Sequence, residues 1–189
     1  FIPNANHTDN IEYTALSYAW GNGVSAMKTT ASNLADMTRG MDWPNLPKTI
    51  QDAMIVTRKL GVRYIWVDSL CILQSEGGKD DHHKADWHRE AARFGQYYRG
   101  AVLTIAATGA SGADKGLFLE RSELALQSPA LTLERVDPTG GIGKITIWPR
   151  IPLWSSEMQR GPLYTRGWAL QERLLSPSIL HFAKNCVLW

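Results

Sequence analysis

The chain has 189 residues, of which 44% are hydrophobic and 20% charged, and its formal net charge is +2. This length and composition allow one cored domain and differ from those of a disordered chain. Since Lys and Arg form no tract and no apolar run approaches the roughly 20 residues that span a bilayer, we expect neither nucleic-acid nor membrane binding.

The predicted elements alternate between strands and helices. A β-prone segment, 13–20, ends at Gly21-Asn22-Gly23. A helix is predicted from Pro47, which suits a first turn, to Gly61, which suits a helix end. The apolar run 64–67 does not alternate with polar residues, which is typical of a parallel strand covered on both faces.

A second helix is predicted over 80–99 and a third strand over 101–107. The helix carries one apolar stripe, formed by Trp87, Ala91, Phe94 and Tyr98. The order strand, helix, strand, helix, strand predicts an α/β fold with a doubly wound, mainly parallel sheet.

The second half of the chain is less regular. Segments 131–134 and 144–148 flank a turn at 137–141 and predict a β-hairpin inserted before the last helix, 166–175. Two final strands are predicted at 179–182 and 186–189.

We interpret residues 1–189 as a single domain, with a core of about 13–189 and an insertion of about 117–160. A start at Phe1 and an end just after an apolar run suggest excision from a longer protein. Cys71 and Cys186 are too few for a disulfide scaffold, and apolar neighbours favour free, buried thiols in a reducing, cytoplasmic compartment.

Ligands of open parallel sheets bind outside the carboxyl ends of the strands. Here those ends are 18–23, 68–74 and 108–116, which carry glycines, hydroxyls and an acid. Gly21 and its neighbours fit a phosphate-binding loop or, more simply, an ordinary turn. Asp68 follows a buried strand, so its carboxylate either caps the next turn or faces the ligand crevice.

The spacing of Trp168 and Glu172 places them one turn apart on one helix face. Taken alone, this spacing also fits a surface helix anchored by its Trp, with Glu172 in solvent. A metal site is not predicted, because adjacent His82 and His83 point in different directions on a helix. Cys71 has no neighbouring base that would make it a nucleophile.

Four blocks of the sequence resemble heterokaryon-incompatibility (HET) domains of fungi in the order expected for that family. They are 13–21, 64–74, 101–107 and 166–172. HET domains are in turn similar to TIR domains, which cleave NAD⁺ in immune proteins, so the resemblance implies a TIR/flavodoxin-like fold.

The resemblance to TIR domains extends to single residues. Ser17-Tyr18 stands where TIR domains end their first strand, and Asp68 where they often end the second. Trp168 and Glu172 match the Trp and essential Glu of the catalytic helix, which implies that Glu172 is catalytic. The substrate-binding residues implied by this match and by the strand ends are Tyr18, Trp20, Gly21, Asp68, Ser69 and Trp168.

The sequence departs from TIR domains at two points. About fifty residues separate the third strand from the catalytic helix, where TIR domains have a short connection. Many TIR enzymes also have an Arg just after the first strand, where this chain has Ala19-Trp20. The nucleotide contacts at that position are therefore not assigned by the resemblance.

The resemblance implies a TIR-like NAD⁺ glycohydrolase that is active on oligomerisation and acts as a cell-death effector in fungal incompatibility and innate immunity. NAD⁺ or a related nucleotide is its substrate, and no separate cofactor is expected. Self-association and other domains of a longer protein are the expected partners. The alternatives are a non-enzymatic, self-associating signalling domain and, with less support, a nucleotide or nucleic-acid hydrolase.

Overall fold

The computed structural model describes residues 11–21, 27–77, 81–121, 130–136, 138, 140–147 and 154–189. The described strands are β1 (Tyr13–Ser17), β2 (Tyr64–Trp66), β3 (Leu103–Ala106), β4 (Leu131–Val136), β5 (Ile142–Ile147), β6 (Ile179–Phe182) and β7 (Val187–Leu188). Five of them form one sheet in the order β2-β1-β3-β6-β7. The first four of these are mutually parallel and β7 is antiparallel to β6, which confirms the predicted mainly parallel sheet.

The described helices are α1 (Leu34–Arg39), α2 (Lys48–Lys59), α3 (Asp68–Cys71), α4 (His82–Gly100), α5 (Trp154–Arg160) and α6 (Gly167–Leu175). Short 3₁₀ turns occupy Trp43–Asn45 and Pro162–Thr165. Gly61 follows α2 with a φ of +77°, as its predicted role at a helix end requires. None of the described helices has the length and apolarity needed to cross a bilayer.

Helices cover both faces of the sheet because successive side chains of a strand point in opposite directions. Leu16 of β1 belongs to one core cluster with Ile50 of α2. Its neighbour Ala15 belongs to a second cluster with Tyr98 of α4, against which Leu175 of α6 packs. The sheet is therefore doubly wound, and its strand order is of the flavodoxin-like type.

The predicted hairpin is confirmed as the antiparallel pair β4–β5, which lies outside the main sheet. Pairing extends beyond the predicted 131–134 to Val136, opposite Ile142, because the backbone ladder continues towards the turn. On one face of this hairpin, Thr132 lies opposite Thr146. On the same face, the Lys144 ammonium lies 3.5 Å from the Glu134 carboxylate.

One local prediction was wrong, and three short helices, α1, α3 and α5, were not predicted. No helix was predicted at 68–71, where α3 makes a single turn that is too short for a periodic pattern. That turn buries Ser69 and Leu70 and directs Cys71 outward, so the predicted burial of Cys71 fails, while Cys186 is half-buried. Both thiols are free, as expected. Asn22, Gly23, Asp80 and Trp148 lie outside the described residues.

Candidate functional site

A cavity of about 190 Å³ opens where the chain leaves the carboxyl ends of β1 and β2, with α4 and α6 forming its other wall. We call it the front cavity. Its lining combines four aromatic rings with two carboxylates and one guanidinium. The residues are Trp20, Asp68, Ile72, Gln74, Trp87, Ala91, Phe94, Arg166, Trp168 and Glu172.

Glu172 lies in the second turn of the nine-residue helix α6, and its side chain is buried. Only 7% of the residue is exposed, so the alternative of a solvated surface carboxylate does not hold. Oε2 of Glu172 is buried and has no hydrogen-bond partner among the described residues. An unpaired buried oxygen is costly, so Oε2 is an acceptor whose pairing with a donor would be favourable.

The environment of Glu172 disfavours the charged form of its carboxyl group. Burial raises the pKa of Glu172 to about 7, the Ser17 hydroxyl lowers it, and nearby Asp68 raises it again. Arg166 and the Tyr98 hydroxyl favour the charged form. Glu172 therefore titrates near neutral pH, in the range where catalytic carboxyl groups are commonly tuned.

The sequence left open whether the Asp68 carboxylate bonds to the next turn or faces the ligand crevice, and in the structure it does both. Its Oδ1 accepts a hydrogen bond of 2.7 Å from the backbone N–H of Ser69, and its Oδ2 accepts one of 3.1 Å from the Trp20 indole. The side chain also lines the front cavity beside Glu172. Burial raises the pKa of Asp68 to about 6, against the opposing effects of these hydrogen bonds and of Arg166.

Arg166 is a site residue that the sequence did not single out. Its Nη1 donates a 2.6 Å hydrogen bond to the Tyr18 carbonyl, just beyond the end of β1. Among the described residues, no carboxylate lies within 4 Å of this guanidinium. A positive charge at the N-cap of α6 interacts unfavourably with the helix dipole. This unfavourable position could have indicated from the sequence that Arg166 has a functional role.

Ser17 was passed over in favour of its neighbour Tyr18. Ser17 shares the sheet face of Ala15 and lies against Glu172, whereas Tyr18 points to the opposite face. Tyr18 is 5% exposed, and its hydroxyl donates a 2.8 Å hydrogen bond to Oγ of the fully buried Ser69. Tyr18 and Ser69 therefore support the loops that carry Trp20 and Asp68 and do not line the cavity.

Gly21 does not line the front cavity, although its chain neighbour Trp20 does. Its φ is +85°, and a Cβ there would sit 3.1 Å from the Cα of Gly112. The positive φ and the close approach of a second backbone explain why Gly occupies this position. These contacts match the simpler interpretation of a turn.

Aromatic rings form the rim of the front cavity. Trp168 is 50% exposed and meets Phe94 of α4 edge-on at 5.6 Å, which joins α6 to α4. Trp87, predicted on the apolar stripe of α4, is also largely exposed and lines the cavity. Half-exposed rings beside polar groups are typical of surfaces on which ligand rings stack.

We expect Glu172→Gln to stabilise the fold above neutral pH. The pKa of Glu172 is about 7 in the folded chain against a reference value of 4.5, so the charged form is disfavoured by folding. The penalty develops as pH rises from about 4.5 to 7 and corresponds to at most about 3 kcal/mol. The variant should melt at a higher temperature than wild type at pH 8 and at the same temperature at pH 4.

Exposed Glu12 provides the control, since Glu12→Gln should leave the melting temperature unchanged at both pH values. A Glu172→Gln protein that melts below wild type at pH 8 would contradict the burial of an unpaired charge.

Groups of three or more His, Cys, Asp or Glu side chains that could hold a metal are absent from the described part of the chain. A sequence model of the family described as "Heterokaryon incompatibility protein (HET)" matches residues 13–172. Searches of curated proteins and of solved structures find no match.

Proposed function

The chain belongs to the heterokaryon incompatibility (HET) family, and from this we propose that it is a TIR-like NAD⁺ glycohydrolase with Glu172 as its catalytic residue. Family membership itself gives the context of heterokaryon incompatibility and cell death. The proposal adds a reaction to that context: loss of NAD⁺ would be the route by which an assembled form of the domain kills cells.

One observation carries the proposal: a buried Glu172 carboxyl, with an unpaired Oε2, faces a cavity that also contains the guanidinium of Arg166. Buried carboxyl oxygens of structural residues are usually paired. Oε2 is out of reach of solvent, so a ribose hydroxyl would pair with it after a small movement of the Glu172 side chain. The guanidinium of Arg166 forms no salt bridge with a described carboxylate, although its charge favours the ionised forms of Asp68 and Glu172, and it suits the diphosphate of the same nucleotide.

Cleavage of the bond between nicotinamide and ribose requires few protein groups beyond one negative charge. In NAD⁺, the bond between ribose C1′ and the pyridinium nitrogen breaks, its electron pair returns to the ring, and nicotinamide leaves as a neutral molecule. No acid is needed to protonate it. The ribosyl group acquires oxocarbenium character, and a nearby carboxylate stabilises that transition state.

Capture of the ribosyl group completes the reaction. Attack by water gives ADP-ribose, with one proton released, whereas attack by the substrate's own adenine gives a cyclic product. Asp68, whose pKa is also raised, lies beside Glu172 as a second acceptor for ribose hydroxyls. The exposed faces of Trp20 and Trp168 offer stacking surfaces for the two bases.

The decisive experiment is chromatography of NAD⁺ after incubation with concentrated wild-type protein whose oligomeric state has been measured. We expect release of nicotinamide by the assembled form and little release by the monomer. An oligomeric protein that leaves NAD⁺ intact would favour the alternative, a non-enzymatic domain that acts through self-association.

We expect the rate of nicotinamide release to rise with pH through a midpoint near 7. The charged form of Glu172 is the active one, and its pKa is about 7, so the rate should fall about tenfold per pH unit on the acid side and level off above pH 8. The dependence of kcat/KM for NAD⁺ on pH between 5 and 9 measures this profile, because kcat/KM reports the pKa values of the free enzyme.

Asp68→Asn tests the assignment of that midpoint to Glu172. The negative charge of Asp68 raises the pKa of Glu172, so its removal should move the midpoint to lower pH, whatever it does to the plateau rate. A profile that is flat from pH 5 to 9 in the wild type, or a midpoint that rises in Asp68→Asn, contradicts the proposed role.

A further inference from the structure

A second cavity, of about 270 Å³, lies on the opposite side of α6 from the front cavity. We call it the rear cavity. Its floor is the sheet, where Ser17 and Ala106 are the last residues of the paired strands β1 and β3. Helix α2 covers one face of the sheet and α6 the other, and the residues directly after β3, such as Ala107 and Ala110, pack on the α2 face. The rear cavity therefore lies at the carboxyl ends of the strands, the end at which open parallel sheets hold ligands.

Small residues line part of the rear cavity, namely Ala106 on the sheet and Gly167 and Ala169 on α6. A Cβ added at Gly167 would meet nothing within 4 Å, whereas helix–sheet contacts ordinarily interdigitate large side chains. An unfilled space of this size costs stability through lost contacts. Small residues on the two walls therefore leave a space that a compact ligand can enter.

The floor of the rear cavity carries polar groups that are already paired. Thr108 Oγ1 lies 2.9 Å from Nδ1 of His181, and Thr104 Oγ1 lies 2.6 Å from Oγ of Ser176. Burial, assisted by Arg173, lowers the pKa of His181 to about 4, so this ring is neutral at physiological pH. The floor is therefore polar and uncharged.

Positive charge enters the rear cavity from α6. Arg166 and Arg173 both line it, and no carboxylate of the described residues lies within 4 Å of either guanidinium. Arg173 lies 5.5 Å over the ring of Tyr164, which holds it at the mouth. Leu163, Met158 and Ile179 make the remaining wall apolar.

We propose that the rear cavity is a second ligand site, separate from the front cavity, that binds a small organic carboxylate with a compact apolar body. The Arg173 guanidinium, which forms no salt bridge among the described residues, selects an anion with the added positive charge of Arg166, and the apolar wall selects its body. The volume suits a single ring or a short branched chain. Because Arg166 and Ser17 border this site and also neighbour Glu172, an occupant there can influence the front cavity.

A series of probes with one shape and three charges tests the proposal: benzoate, benzamide and benzylammonium. Binding to the wild-type protein is measured directly by calorimetry and by NMR, without any assay of NAD⁺ cleavage. We expect benzoate to bind at least about tenfold more tightly than benzamide, because a charge-assisted hydrogen bond is involved, and benzylammonium not to bind. Contacts should appear between the benzoate protons and the Ile179 methyl groups.

Two variants locate the binding. Arg173→Gln should weaken benzoate at least about tenfold and leave benzamide unchanged, whereas Arg58→Gln, which removes an exposed cation of α2, should change neither. Ala169→Leu, placed on the α6 wall, should weaken both probes by filling the space. Melting curves establish that each variant is folded.

Equal binding of benzoate and benzamide would overturn the proposed charge selection. Contacts of benzoate with residues outside the rear cavity would overturn the assignment of a second site. Since none of these readouts depends on turnover, they are independent of whether NAD⁺ is cleaved.

Discussion

Glu172→Gln is expected to reduce nicotinamide release from NAD⁺ by roughly 10²–10³-fold in the assembled protein. Gln keeps the size of Glu and its ability to accept a hydrogen bond, but it cannot supply the negative charge that stabilises the ribosyl transition state. Since removing a preorganised electrostatic group acts on kcat, KM for NAD⁺ should change little. Initial rates at equal oligomeric state, followed by chromatography, measure the loss.

Glu157→Gln is a matched control, because it makes the same substitution at another buried Glu. Glu157 is also 7% exposed, but its Oε1 accepts a 2.9 Å hydrogen bond from the Asn185 side chain, and it does not line the front cavity. We expect this variant to keep its activity while losing some stability. If Glu172→Gln retained wild-type turnover, or still killed cells as wild type does, the catalytic assignment would be wrong.

The strands of the main sheet were predictable because their burial leaves a simple pattern. The run around Ile65 and the run around Ile105 lack alternation, and both became parallel neighbours of β1. The single turn of α3 and the outward direction of Cys71 were not predictable, since four residues carry no helical period. The apolar residues next to Cys71 in the sequence do not determine how exposed its side chain is in a single helical turn.

The candidate site was predictable where its residues lie on one element or at a strand end. Trp168 and Glu172 share a helix, and Asp68 follows β2 directly. The contact between Arg166 and the Tyr18 carbonyl joins residues 148 positions apart, and no local pattern records it. Ser17 was missed although strand alternation could have identified it. Alternation places Leu16 and Tyr18 in the core beneath α2 and therefore places Ser17 on the opposite face of the sheet.

Arg166 also bears on the TIR comparison, in which an Arg often follows the first strand. Here Ala19 and Trp20 occupy that place, but the guanidinium of Arg166 reaches the same end of β1 from α6. We therefore expect Arg166 to bind the diphosphate of NAD⁺. A hydrogen bond to a charged group contributes about 1.5–3 kcal/mol, so Arg166→Gln should lower kcat/KM for NAD⁺ roughly 10–10²-fold.

Nicotinamide riboside separates phosphate binding from a structural effect, because it carries the same scissile bond without any phosphate. If Arg166 binds the diphosphate, Arg166→Gln should leave kcat/KM for nicotinamide riboside nearly unchanged. Arg166→Lys should lie between the two proteins for NAD⁺, since an ammonium keeps the charge but lacks the planar fork. Equal losses for both substrates, together with a lower melting temperature, would mean that Arg166 acts by holding the Tyr18 carbonyl and the end of β1 in place.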